Sequence, residues 1–277
     1  MYQILALDLD GTVLKSDRTI SADLIRTVQY LAQKIPVVIV TGRHHTTARP
    51  YYHELGLTGP IICCNGAYVY DYRQEKVIQH NAIPKPLAKD FLQLAQDQGM
   101  AAVLYTTHAM MHSITHPVPY IDTLADWAEQ YPKNLKPQIY KVADLRQELD
   151  ANDFIWKFVL EGEDVASFAD QCFVAQNFSA EQSWQDRFDF AYKGNTKGAA
   201  LGAYLASLGI DPQHMVAIGD HHNDISMLKL AGLGVAMGNA GPEIKAIADQ
   251  VAAGHNDEEL GLSNTLRQIF GLDEERI

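Results

Sequence analysis

Two aspartates stand two positions apart at the end of a short apolar run near the start of the chain. Residues 4–7 read Ile-Leu-Ala-Leu, and Asp8, Leu9, Asp10 and Gly11 follow them. Such a run is typical of a strand that is buried on both faces. A buried carboxylate is costly unless it is paired, hydrogen-bonded or bound to a cation. The segment therefore favours a cation site at the end of a buried strand. The alternative is a strand that ends in a polar Asp10-Gly11 turn.

Three further apolar runs also end in small, polar or acidic residues. Residues 37–40 precede Thr41-Gly42, residues 61–64 precede Asn65-Gly66, and residues 215–218 precede a segment that contains Asp220, Asn223 and Asp224. In an open parallel sheet, the carboxyl ends of the strands meet at one crevice, where ligands bind. The four runs therefore predict that their polar residues share one site.

Amphipathic segments alternate with these runs and predict the fold. Ser21 can cap a helix that continues to about Lys34, and a helix that starts at Asn195 or Thr196 ends before Gly209. Residues 223–230 read as another helix, and residues 234–237 as a fifth strand. Strands that alternate with helices indicate an α/β fold with a doubly wound parallel sheet.

The alternation stops between about residues 83 and 190. Pro84 and Pro86 mark the boundary, a helix is expected over 87–98, and short β-like runs follow at 101–105 and 154–158. We therefore expect an inserted α+β domain over residues 83–190. Residues 1–82 and 191–277 would together form the core domain.

Four motifs in this order resemble the phosphatases of the haloacid dehalogenase superfamily, of the Cof type. The similar positions are Asp8 to Thr12, Thr41-Gly42, Lys197, and Gly219-Asp220 through Asn223-Asp224. The resemblance covers nearly the whole chain, and it implies that the insertion is a cap over the active site. Residues 40–45, 62–66 and 68–72 also resemble the bacterial pyridoxal phosphate phosphatase subgroup.

The resemblance implies a role for each acidic residue. Asp8 would be the nucleophile and form an aspartyl-phosphate, while Asp10 would be the general acid and base. Mg²⁺ would be held by the Asp8 carboxylate, the Asp10 main-chain carbonyl and the Asp220 carboxylate. Asp224 would hold a water bound to the metal ion.

The resemblance also implies a set of groups that bind the phosphoryl oxygens. They are Thr41, the amides of Gly42 and Leu9, Lys197 and Asn223. Lys197 could instead be a solvated lysine in a first helical turn. A positive charge there opposes the helix dipole, so we favour the functional interpretation.

Four residues beside these motifs are candidates for contact with the substrate. They are Arg43, His44, His45 and Asn65. The two histidines directly follow Thr41-Gly42 and Arg43, and the alternative is that they are surface histidines at the start of a helix.

Composition limits the partners. Lysine and arginine total 22 against 34 acidic residues, which gives a net charge of −12. This disfavours nonspecific binding to nucleic acid or to an anionic membrane, because both require a basic surface. The chain has no leader-like start and no apolar run near the roughly 20 residues that span a bilayer, so a cytoplasmic enzyme is expected. The sequence does not predict an oligomeric state.

The favoured function is magnesium-dependent hydrolysis of small-molecule phosphate monoesters, with pyridoxal 5′-phosphate as the substrate that the subgroup resemblance implies. A sugar phosphate phosphatase of broad specificity is the alternative. A phosphotransferase or mutase is disfavoured, because only a helix lies between Thr12 and Thr41, where the sugar mutases with small caps carry their insertion. A non-catalytic ligand-binding scaffold is disfavoured because Asp8, Asp10 and Lys197 are all present.

Overall fold

The computed structural model describes residues 2–116 and 118–273, which divide into two compact units. The first unit takes the described residues up to Gly42, Tyr51–Gln79, and those from Thr196 onward. The second unit takes Arg43–Pro50 and His80–Asn195. The second unit thus extends a few residues beyond the expected insertion at each end, and it includes a short segment that the sequence had not assigned to it.

The secondary structure contains the five predicted strands, and helices close to the predicted ones. The strands are β1 Ile4–Leu7, β2 Val37–Ile39, β3 Ile61–Cys63, β4 Tyr68–Asp71, β5 Lys76–His80, β6 Ala101–Thr106, β7 Met110–Ser113, β8 Ile139–Val142, β9 Ile155–Glu161, β10 Phe178–Trp184, β11 Arg187–Tyr192, β12 Met215–Gly219, β13 Leu233–Ala236 and β14 Gln250–Val251. The helices are α1 Ala22–Ala32, α2 His45–Glu54, α3 Lys85–Asp97, α4 Pro119–Ala128, α5 Leu145–Ala151, α6 Val165–Ala169, α7 Cys172–Asn177, α8 Lys197–Leu208, α9 Ile225–Leu230, α10 Pro242–Ile247 and α11 Gly261–Phe270.

The first unit is built on a parallel sheet with the strand order β14-β13-β12-β1-β2. A bridge between Val40 and Ile62 continues the parallel pairing from the end of β2 to β3. Since β1 lies between β2 and β12, the residues that follow these three strands are neighbours at one edge of the sheet. This confirms the predicted α/β fold with a doubly wound parallel sheet.

Helices cover the two faces of this sheet because its strands are apolar on both. Ile4 and Ala6 belong to one core cluster with Leu201 and Leu205 of α8. Helix α1 packs against β2 and α11 through its own buried residues. As predicted, Ser21 caps α1 by accepting a hydrogen bond from the amide of Leu24.

Both ends of α8, the helix that carries Lys197, also follow the sequence prediction. Thr196 caps α8 by accepting a hydrogen bond from the amide of Ala199, and Gly209 ends that helix with φ 68°. The helix expected over 223–230 begins instead as a 3₁₀ turn, His222–Asp224, and continues as α9.

The second unit is an α+β domain around a mostly antiparallel sheet. Its strand order is β10-β11-β9-β6-β7-β8, and only β7 and β8 pair in parallel. Helix α3 packs on one face, where the ring of Phe91 contacts those of Phe158, Phe178 and Phe190. Within the described part of the chain, we find no helix whose length and hydropathy would let it cross a membrane.

Candidate active site

The site is built at the carboxyl edge of the sheet in the first unit, around the end of β1. Asp8 is 4% exposed, and its amide donates to the carbonyl of Ile218 at 3.0 Å, while Asp10 is exposed. Gly11 turns the chain with φ 77°, and a Cβ at this position would lie 2.3 Å from Oδ2 of Asp220. Only glycine leaves room for the Asp220 carboxylate at this position. The turn can therefore lie directly against Asp220, which places the first motif next to the fourth.

Lys197 is fully buried and joins two acidic residues. Its Nζ lies 2.6 Å from Oδ1 of Asp8 and 2.6 Å from Oδ1 of Asp224. Burial alone would lower the pKa of Lys197, but the attraction of Asp224 and Asp8 outweighs it and raises that pKa above its usual value. The lysine is therefore charged, and the alternative of a solvated lysine is wrong.

Asp224 is fixed by main-chain donors. Its Oδ2 accepts from the amides of Asp220 at 2.9 Å and His221 at 3.0 Å. Gly219 permits this approach, since a Cβ there would lie 2.4 Å from Cγ of Asp224. The other oxygen, Oδ1, is thereby directed at Lys197. The carboxylate therefore positions the lysine that faces the predicted nucleophile.

Three carboxylates of this site are close enough to share a metal ion. Oxygens of Asp8, Asp220 and Asp224 all lie within 4.8 Å of one another. Burial, only partly opposed by Lys197, raises the pKa of Asp8 well above its usual value. Burial and then repulsion by Asp224 raise the pKa of Asp220 to about 6. A divalent cation would relieve this repulsion, and an all-oxygen donor set suits a hard ion such as Mg²⁺.

The ends of β2 and β3 supply a second group of polar residues in the same unit. The main-chain amide of Asn65 donates to the carbonyl of Thr41 at 3.1 Å. The side chain of Asn223 donates from Nδ2 to Oδ1 of Asn65, also at 3.1 Å. Asn65 has φ 55°, a left-handed conformation that asparagine tolerates better than most residues. Gly42 lies against it, since a Cβ there would be 3.0 Å from Oδ1 of Asn65. The structure thus brings Asn65 together with three predicted residues of the second and fourth motifs, Thr41, Gly42 and Asn223.

Leu9 is buried between the two aspartates of the first motif. The predicted phosphate-binding role of its amide stays a prediction.

Arg43, His44 and His45 belong to the second unit. His44 is buried, its Nε2 lies 2.7 Å from the carbonyl of Thr106, and its Nδ1 lies 2.8 Å from Oγ1 of Thr46. A carbonyl only accepts, so Nε2 carries the proton, and burial lowers the pKa of His44 to about 3. His44 is therefore neutral, and its hydrogen bond to Thr106 joins the segment Arg43–Pro50 to the end of β6.

His45 is also buried, so the alternative of surface histidines is wrong for both residues. Contact of Arg43, His44, His45 and Asn65 with a substrate stays a prediction.

Two residues of the site, Thr12 and Asn239, were not predicted to have a role from the sequence. Thr12 donates from Oγ1 to Oδ1 of Asp220 at 3.0 Å, and Asn239 donates from Nδ2 to the carbonyl of Gly11 at 2.8 Å. Thr12 lies inside the first motif. Asn239 follows the fifth predicted strand, so the rule that strand ends carry the site's residues could have found it.

The comparisons with known proteins agree with this geometry. Residues 5–266 match the family of haloacid dehalogenase-like hydrolases. Pyridoxal phosphate phosphatase YbhA of Escherichia coli is 34% identical over 253 residues, which are 90% of this chain and 92% of that protein. 5-Amino-6-(5-phospho-D-ribitylamino)uracil phosphatase YitU of Bacillus subtilis is 28% identical, with 97% and 98% of the two chains covered.

Solved structures show the same fold. A haloacid dehalogenase-like hydrolase from Bacteroides thetaiotaomicron superimposes with a TM-score of 0.84 at 24% identity, covering 98% of this chain and 100% of that one. Another, from B. subtilis, gives a TM-score of 0.80 at 25% identity, covering 96% and 99%. The family match spans both units and all four motifs, so this chain belongs to the haloacid dehalogenase-like hydrolases and is an enzyme of their phosphatase class.

Proposed function

We propose that this phosphatase hydrolyses pyridoxal 5′-phosphate with the help of Mg²⁺, through an aspartyl-phosphate on Asp8. The observation that carries the reaction is the placement of Lys197, which bridges Asp8 and Asp224 inside a group of three carboxylates. The observation that supports the substrate is 34% identity to a relative named for pyridoxal phosphate.

The first half of the reaction transfers the phosphoryl group to the enzyme. A carboxylate oxygen of Asp8 attacks phosphorus, and the bond between phosphorus and the ester oxygen breaks as the new bond forms. The charge of Lys197 stabilises the phosphoryl oxygens and favours the ionised form of Asp8, in opposition to the burial that raises its pKa. Asp10, which is exposed, donates a proton to the departing ester oxygen.

The second half regenerates the enzyme. Asp10, now a carboxylate, takes a proton from a water molecule, which attacks phosphorus and releases phosphate from Asp8. An exposed carboxylate suits this role because it can reach both solvent and the ester oxygen, whereas buried Asp8 has a fixed orientation.

The phosphoryl oxygens are held by residues of the first unit. We assign this role to the side chain of Thr41, the amides of Leu9 and Gly42, and the amide group of Asn223. The hydrogen bond from Asn223 to Asn65 fixes the orientation of that amide group.

The metal ion would be held by the carboxylates of Asp8 and Asp220 and by the main-chain carbonyl of Asp10, with Asp224 holding a coordinated water. When bound, Mg²⁺ supplies positive charge to the phosphoryl oxygens.

We also propose that the second unit is the cap and selects the substrate. Every candidate ester carries the same phosphate, so residues that bind only phosphate cannot discriminate between esters. Arg43, His44 and His45 belong to this second unit and, with Asn65, remain our candidates for substrate contact. A cytoplasmic location is part of the same proposal.

The test is a phosphate-release screen across vitamin, sugar and nucleotide phosphates, ranked by kcat/KM in the presence of MgCl₂. We expect pyridoxal 5′-phosphate to rank first, and Asp8→Asn to be inactive on every ester as the matched control. A hexose phosphate at the head of the ranking would refute the substrate and favour a sugar phosphatase. Equal activity of the Asp8→Asn protein would refute the mechanism.

Replacing residues 83–190 by a short linker tests the cap. We expect such a protein, where circular dichroism shows that it folds, to hydrolyse an activated aryl phosphate slowly without preferring pyridoxal 5′-phosphate over sugar phosphates. A preference that persists would contradict the proposed role of the second unit.

A further inference from the structure

Asn239 lies beside the predicted metal ligands but belongs to none of the four motifs. It stands in the loop between β13 and α10, and β13 pairs with β12, the strand that leads to Asp220. Its Nδ2 donates to the carbonyl of Gly11 at 2.8 Å and lies 3.5 Å from Oδ2 of Asp220. One side-chain amide thus contacts both the turn after Asp10 and the carboxylate of the fourth motif.

These contacts leave the Asp220 carboxylate with a donor at each oxygen. Thr12 donates to Oδ1 at 3.0 Å, and the amide of Asn239 faces Oδ2. A carboxylate oxygen has two lone-pair directions, so one donor leaves the other direction available for a cation. The two donors therefore determine how Asp220 presents its oxygens.

The orientation of the Asn239 amide is itself fixed. Its Oδ1 accepts from the main-chain amide of Asn256 at 3.2 Å, so its NH₂ group must face Gly11. Asn256 in turn donates from Nδ2 to the carbonyl of Leu14 at 2.9 Å. Asp257 next to it accepts from the amide of Ser16 at 2.6 Å. The segment around Asn256 therefore holds both Asn239 and the loop that follows Gly11.

We propose that Asn239 is a positioning residue that orients Asp220 and the Asp10-Gly11 turn for metal binding, and that Asn256 supports it. The inference rests on the metal site of the proposed function. Partners of this kind orient metal ligands without touching the ion, and their loss weakens metal affinity by about 10- to 100-fold.

Isothermal titration of the metal-free protein with MgCl₂ tests the inference without relying on activity. We expect Asn239→Ala to raise the Kd for Mg²⁺ by about 10-fold or more. Asn256→Ala should raise it less, because its main-chain amide still reaches Asn239. The matched control is Asn264→Ala, an exposed asparagine of α11, which should leave the Kd unchanged.

Kinetics separate metal positioning from general damage. Saturating MgCl₂ should restore most of the kcat of Asn239→Ala on an aryl phosphate, because the metal site is then filled despite its lower affinity. If Asn239→Ala does not fold by circular dichroism, Asn239→Ser takes its place, since its shorter side chain keeps a polar group but cannot reach Gly11.

A Kd for the Asn239 variant within about twofold of the parent's, or a kcat that excess metal leaves low, would overturn the inference while leaving the proposed function intact. A parent protein that binds no Mg²⁺ would overturn both. Weaker binding by Asn239→Ala in an enzyme that ignores pyridoxal 5′-phosphate would support the inference and refute only the substrate.

Discussion

Each unit of the molecule buries one lysine, and the two lysines have different partners. Lys197 in the first unit is fully buried and lies 2.6 Å from each of two aspartates, Asp8 and Asp224. Lys157 in the second unit is 3% exposed and lies 2.5 Å from Asp189. Its Nζ also stands 4.5 Å from the ring centroid of Tyr105.

The difference lies in the balance of charge. Lys157 and Asp189 lie on neighbouring strands, β9 and β11, and form a pair of one positive and one negative charge. Each charge neutralises the other. Lys197 faces Asp8 and Asp224 in a group that also contains Asp220, so negative charge is left over. Uncompensated charge is costly for folding alone, and a site retains it when a ligand supplies the missing charge. The comparison therefore separates an ion pair that is complete in itself from a charged group that a bound cation would complete.

Removing the nucleophile should have the largest effect. Asp8→Asn keeps the shape of the side chain but removes the attacking charge and one partner of Lys197. We expect turnover of an aryl phosphate to fall by about four orders of magnitude or more, as for loss of a covalent nucleophile. Stopped assays that detect inorganic phosphate measure this. Turnover within tenfold of the parent's would mean that Asp8 is not the nucleophile.

Replacing each lysine by methionine tests the comparison directly. Lys197→Met should lower kcat on every ester by on the order of 10³, because it removes a charge that stabilises the transition state. Lys157→Met should leave the kcat on an aryl phosphate near the parent's and lower the free energy of unfolding by about 3–5 kcal/mol, because it leaves Asp189 without its partner. Kinetics and urea unfolding of both variants give the two numbers.

A second variant of the structural pair sharpens that result. Lys157→Met combined with Asp189→Leu removes both charges, so it should recover much of the lost stability. If the double variant is no more stable than Lys157→Met, the loss comes from packing rather than from an unpaired charge.

The general acid should show an effect that depends on the substrate. Asp10→Asn cannot donate a proton but keeps the main-chain carbonyl. An alkyl phosphate needs the acid more than an activated aryl phosphate does, because its leaving group is more basic. In single-turnover measurements of phosphoryl transfer, we expect the rate to fall at least tenfold more for the alkyl ester. Equal losses would indicate that Asp10 is only structural.

Much of the first unit could be predicted because its signals are local. A buried parallel strand appears as an apolar run, and the residues that follow it must meet at one edge of the sheet. This logic placed Asp8, Thr41 and Asp220 at one edge of the sheet, whereas Lys197 was assigned only from the resemblance to a known family. The same logic extends to Asn239, which follows the fifth predicted strand, but it does not predict the hydrogen bond from Asn239 to Gly11, 228 positions away in the chain.

The second unit was predicted only as an α+β insertion. Its inclusion of Arg43–Pro50 depends on contacts with no sequence signal, such as the hydrogen bond from His44 to the carbonyl of Thr106. The pair of Lys157 and Asp189 also has no signal in the sequence, because these cross-strand partners lie 32 positions apart and share no motif.

Acid should weaken metal binding gradually, and this is the smallest of the expected effects. In the metal-free protein, burial and repulsion by Asp224 raise the pKa of Asp220 to about 6, and burial also raises the pKa of Asp8. Below these pKa values a bound proton must leave before the cation can bind. Displacement of the Asp220 proton should therefore raise the Kd for Mg²⁺ below about pH 6 by about tenfold per pH unit.

The same shift predicts a stability difference with a definite sign. A carboxylate with a raised pKa binds more protons in the folded than in the unfolded state, so it lowers stability as the pH rises through about 6. Without metal, Asp220→Asn should therefore be more stable than the parent at pH 7.5, and this advantage should shrink as the pH falls to 5. Urea unfolding at both values measures it. An advantage that does not change with pH would show that Asp220 does not titrate in this range, and a Kd for Mg²⁺ that stays flat to pH 5 would agree with that result.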